Sequence, residues 1–135
     1  MEKLRFRHEH AWRVVYHLCD HLDRSGQLGE AEAWRRKGLP LFEERFGADS
    51  VLYADHLASL GLNLLFQERW ADAEAVLRDC LAIREKEQPD AWTTFNTQSR
   101  LGGALLAQKK NADAEPLLLK GCEGMKQCGR HSRIQ

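Results

Sequence analysis

Proline is scarce: three residues in 135, Pro40, Pro89 and Pro116, so little in the chain forces a helix to stop. Long apolar runs are missing as well. The most apolar stretch, Leu57 to Phe66, holds ten residues including Asn63, where a membrane-spanning helix needs about 20. There is no excess charge of either sign, with 20 basic and 20 acidic side chains, nor in either half when the chain is split after Gln67. Nothing would therefore draw it to a phosphate backbone, and no nucleic-acid partner is expected. Only the end beyond Leu119 is locally basic (Lys120, Lys126, Arg130 and Arg133 against Glu123), which reads as a solvated terminus. The opening MEKLRFRHEH is charged where an export signal needs an apolar core. The four cysteines, Cys19, Cys80, Cys122 and Cys128, show no CxxC spacing. Together these point to a cytoplasmic chain with reduced thiols and no membrane partner.

Catalytic motifs are lacking too. No nucleophile elbow, phosphate loop, Gly-rich nucleotide fingerprint or kinase signature occurs, and Gly102-Gly103 falls inside a helical pattern where it reads as close packing. His8-Glu9-His10 is not a zinc-protease motif, because Trp12 stands where the second histidine of the i, i+4 pair belongs. His17 and His21 share a helix face beside Asp20, with His10 two turns away; surface histidines explain them better than a metal site. The expectation is a non-enzyme without metal or cofactor.

What the sequence does contain is an internal repeat. Residues 57–77, LASLGLNLLFQERWADAEAVL, align without gaps on residues 98–118, QSRLGGALLAQKKNADAEPLL, at an offset of 41. The register pairs Leu60 with Leu101, Gly61 with Gly102, Leu64 with Leu105, Gln67 with Gln108, Ala71 to Glu74 with Ala112 to Glu115, and Leu77 with Leu118. A weaker copy lies 42 residues upstream, with Leu18, Leu22, Ala31-Glu32 and Leu39.

Each copy reads as two antiparallel helices. Leu57, Leu60, Gly61, Leu64 and Leu65 share one helical face; after the polar break Glu68-Arg69, a second helix presents Ala73, Val76, Leu77, Cys80 and Leu81 to its partner. The small residues Gly61, Gly102, Ala73 and Ala114 let helix axes approach closely. Ser25-Gly26 marks the first turn, while 46–50 and 87–90 supply stops and caps between copies. Pro40 predicts a bend or an early end to its helix. Cys19 and Cys80 are expected in the core, as are the tryptophans Trp12, Trp34, Trp70 and Trp92, the last with exposure as its alternative.

These residues resemble the tetratricopeptide repeat, whose pattern is W-x2-L-G-x2-Y, then A-x3-F, then P. The second copy supplies Leu57, Leu60, Gly61, Leu64, Ala73 and Leu77; the third supplies Leu101, Gly102, Leu105, Ala114 and Leu118, with Gln98 at the large apolar position. The first copy departs most, with Cys19 for glycine and Arg35 for the final aromatic. The period exceeds the usual length of about 34 by about seven or eight residues. AEAVLRDCLAIREK and ADAEPLLLKGCEGMK look like the longer repeats of kinesin light chain and its bacterial relatives. The third copy is also similar to repeat tails of some bacterial serine/threonine kinases.

The resemblance implies an all-α fold, a short right-handed α-solenoid of about six helices. The domain is expected to span 1–128, with repeats at about 4–47, 49–87 and 90–128 and a flexible tail at 129–135. The implied function is a scaffold that holds a peptide or partner protein in a groove lined by first helices; the alternative is a non-catalytic regulatory segment of a larger signalling protein such as a kinase. Mapped on this chain, the groove takes Arg13, Tyr16, His17 and Asp20, then Asp55, Ala58, Ser59, Leu62 and Phe66, then Asn96, Ser99, Arg100 and Gly103. The lysine-and-asparagine clamp for a terminal carboxylate is not reproduced. The last helix would leave part of its apolar face, with Leu119 and Met125, uncovered, so either self-association through that end or a longer array of which this is a fragment is expected.

Overall fold

The computed structural model describes the backbone of residues 17–134 and the side chains of residues 17–129. Among them every element is a helix: α1 over 17–24, α2 Leu28–Phe46, α3 Val51–Phe66, α4 Trp70–Glu87, α5 Trp92–Ala107 and α6 Asn111–Ile134. Each helix from α2 onward packs on the next, and the first helices α3 and α5 also touch across the array. Sequence neighbours being spatial neighbours is the signature of a linear stack of helix pairs.

The repeated sequence becomes repeated backbone at the hairpin turns. At the end of α3, the Glu68 N–H donates to the Leu65 carbonyl and the Arg69 N–H to the Leu64 carbonyl, both at 3.0 Å. The end of α5 repeats this, with Lys109 on Leu106 and Lys110 on Leu105 at 2.9 Å, as does the end of α1, with Gly26 on Asp23 and Gln27 on Leu22. All three are the double hydrogen bond of a Schellman turn, which needs one residue in the left-handed region. That residue is Gly26 (φ 80°) in the first copy, but Glu68 (φ 59°) and Lys109 (φ 65°) in the others. Between copies, the Ser50 hydroxyl caps α3 by accepting the Tyr53 N–H at 3.0 Å.

The core has one cluster through Leu60, Leu64, Ala73, Leu77, Leu81, Leu101, Leu105 and Ala114, and a second of Ala54, Leu57, Ala58, Cys80 and Ile83. Close approach within each pair depends on absent side chains: a Cβ on Gly61 would lie 2.7 Å from Leu77 Cδ2, and one on Gly102 would lie 2.8 Å from Leu118 Cγ. The third pair uses two further glycines. A Cβ on Gly121 would meet Ser99 and the Phe95 carbonyl, and one on Gly124 would enter the Phe95 ring. Cys19 and Cys80 are buried as expected, with Cys80 Sγ 3.3 Å from the Ala54 carbonyl oxygen.

Three expectations change or narrow. Of the bend or early end predicted at Pro40, the early end does not occur: α2 continues to Phe46, with Pro40 on its exposed side. The carbonyl left without its N–H, that of Arg36, is also on an exposed residue, where water can serve it. Residues 129–134, expected as a tail outside the helices, continue α6, in which Met125, Lys126 and Gln127 favour helix. Trp34 is not core: it is 40% exposed, with the Lys37 ammonium 5.0 Å above its ring. Trp92, 51% exposed, takes the alternative named for it, Trp70 is half-buried, and Trp12 lies outside the described residues.

Candidate functional site

An open cleft of about 500 Å³ lies between α3 and α5, floored by α4. Of the residues mapped from the sequence, Asp55, Ala58, Ser59, Leu62, Asn96 and Arg100 line it. Phe66 is 64% exposed beyond its end. Ser99 faces the other way, its Oγ against Gly121 of α6, and Gly103 is exposed with nothing near it. Asp20 pairs with Arg24 at 3.1 Å on α1, where His17 is exposed away from the cleft. Arg13 and Tyr16 lie outside the described residues.

The cleft also holds Arg84 and His56, which the repeat pattern did not mark. Arg84 continues the apolar stripe of α4 after Leu77 and Leu81, and a charge on that stripe was the available signal. It is 5% exposed and held on three sides: by Asp55 Oδ1 at 2.8 Å, Thr97 Oγ1 at 2.6 Å and the Thr93 carbonyl at 3.3 Å. Its Nε is buried without a partner. Burial of a guanidinium is tolerated only with such pairing.

His56 stacks on Phe42 with ring centroids 3.5 Å apart, and burial pushes its pKa down to about 4, so it is neutral at pH 7. Arg100 is half-buried and, among the described residues, makes no hydrogen bond or ion pair. Burial and then the nearby Arg84 charge lower its pKa from the usual guanidinium value. Asn96, one helical turn before it, likewise makes no side-chain hydrogen bond among the described residues.

A second polar constellation joins successive copies. Glu32 of α2 accepts from Gln67 Nε2 at 3.2 Å and from Arg69, while Arg36 of its own helix donates at 2.8 Å. One copy later, Glu74 of α4 accepts from Gln108 at 2.9 Å, Lys110 at 3.0 Å and Arg78 at 2.9 Å. Every member has moved by 41 or 42 positions. Asn63 extends the first clasp, donating to Asp23 and to the Leu28 carbonyl at 3.0 Å each. In the third copy Glu115 is exposed and makes no such contact among the described residues, and Leu119, 60% exposed, stands where Arg36 and Arg78 stood.

No helix among the described residues is long and apolar enough to cross a membrane. Helix pairs joined by identical turns, clasped copy to copy, with a cleft on the first-helix side, define the class: a helical-repeat solenoid. The chain belongs to the tetratricopeptide repeat family, which it matches over residues 13–86, more than half its length. Repeats of this family mediate protein–protein interaction. No curated protein matches the chain.

Proposed function

We propose that this protein is a binding scaffold whose α3/α5 cleft holds an extended segment of a partner protein. The observation that carries this reading is the cleft itself. It is of ligand-site size, and both polar and apolar side chains of two first helices converge in it.

The test is site-specific photocrosslinking in cells. A photoreactive phenylalanine analogue at Ser59, inside the cleft, should trap a discrete partner, while the same analogue at Arg78, on an exposed part of α4, should not. Crosslinks from Arg78 with none from Ser59 would place the docking face elsewhere.

A further inference from the structure

We propose that this protein forms a two-fold dimer through α6, whose outward face pairs antiparallel with the same face of a second copy. Of the two outcomes expected for that uncovered end, self-association is the one its side chains favour. The surface is separate from the docking cleft, because no α6 residue lines the cleft.

Four exposed residues of α6, Glu115, Leu119, Cys122 and Lys126, follow one another at steps of four, three and four. On a helix they fall within a sector about 60° wide and so form one straight stripe. It points away from Gly121 and Gly124, which lie buried against α5. Half-buried Leu118 and Met125 border it. One copy earlier the same face is covered: Leu81, the counterpart of Cys122, is buried in a cluster with Leu101 and Leu105 of the next copy.

The order of the stripe identifies what covers it. It runs acidic, apolar, thiol, basic, and turned end for end it places acid on base and leucine on thiol. A two-fold axis midway between Leu119 and Cys122 sets Glu115 opposite Lys126 of the second copy and Leu119 opposite Cys122, each contact made twice. An exposed thiol packs there as a small apolar residue. Both charges are available, since neither side chain makes a hydrogen bond or ion pair among the described residues. Glu115 is moreover the counterpart of Glu32 and Glu74, which take a cation from the next copy, Arg69 and Lys110 respectively. Lys126 of the second copy supplies the one that Glu115 lacks.

Head-to-tail stacking is disfavoured. The first copy carries Ser25 and Gln27 where Gln67 and Arg69 stand 42 positions later, so its end offers Glu115 no cation. Nor does α6 stop where α4 does to let another copy fold back: it runs on to Ile134, well past Cys128, the counterpart of Glu87.

The stripe is only about 16 Å long, so the dimer is weak and concentration-dependent. Sedimentation equilibrium of the full chain under reducing conditions, from low-micromolar to near-millimolar concentration, tests it. A monomer–dimer equilibrium that stops at two is expected, and it should weaken with added salt. Glu115→Lys alone, or Lys126→Glu alone, should raise the dissociation constant about tenfold, because two attractions become two repulsions. The double exchange should restore the parent value, which a merely structural effect on α6 would not do. A monomer at the highest concentration would overturn the proposal. Growth beyond the dimer would also overturn it, in favour of head-to-tail stacking. A dimer indifferent to the single charge changes would remove α6 as its interface.

Discussion

Two glycines of the third helix pair should respond to alanine with opposite signs. Gly103 is exposed in α5, and a Cβ there meets nothing within 4 Å. Gly103→Ala therefore collects only the helix-propensity difference, a stabilisation of ~1 kcal/mol. Gly121 is buried in α6, and its added Cβ would lie 2.3 Å from Ser99 Oγ, 2.7 Å from the Phe95 carbonyl oxygen and 2.9 Å from the Ser99 nitrogen. A rotamer change can move the hydroxyl, but the other two atoms are α5 backbone. The helices must separate, loosening Leu101 and Leu105 from Ala114. Overpacking of this kind costs ~1–3 kcal/mol. The cost outweighs the same propensity gain where the backbone cannot yield, so Gly121→Ala should destabilise by ~1–2 kcal/mol and the two variants should differ by ~2–3 kcal/mol. Urea titrations followed by far-ultraviolet circular dichroism, compared at their midpoints, measure this. If both variants shift the midpoint the same way, or Gly121→Ala matches the parent, the close α5–α6 contact is not what holds the third pair.

The Schellman turns give a second expectation. Glu68→Gly and Lys109→Gly should each stabilise by ~1 kcal/mol, because both residues occupy a left-handed conformation that costs a side chain about that much; unchanged thermal midpoints would argue against those turns. A third concerns acid. Hydrogen bonds from Lys110, Arg78 and Gln108 hold the Glu74 carboxyl at about 2, well below its usual 4.5. The unfolded chain then takes up that proton more readily than the folded one. The clasp's contribution is complete above about pH 4.5 and is lost as pH falls from there toward about 2. Glu74→Gln should flatten that part of the stability–pH curve, and an unaltered slope would mean the clasp does not persist in solution.

The helix pairs were legible in the sequence because burial repeats with the chain: Leu60 and Leu101, Leu64 and Leu105, and Ala73 and Ala114 occupy equivalent sites in one core. Part of the cleft was legible through the family resemblance, which marks Asp55, Ser59, Asn96 and Arg100 as the groove-facing positions of the first helices. Arg84 was not, because its role depends on Thr97 and Asp55 coming from two other helices, and no periodicity announces a charge that is buried only through its partners. Ser99 failed in the opposite direction. Gly121 opens a space that draws it toward α6, and a glycine's effect on a neighbouring helix cannot be read from that helix's own pattern.

The clasps also bear on how such a chain can grow. A stretch from Trp70 to Lys110 carries the acceptor Glu74 near its start and the donors Gln108 and Lys110 at its end. A tandem duplication of that 41-residue stretch would hand each new junction a matched plug and socket already tested against each other. Lengthening by gene duplication thus needs no freshly evolved interface, only recombination near the two hairpin turns.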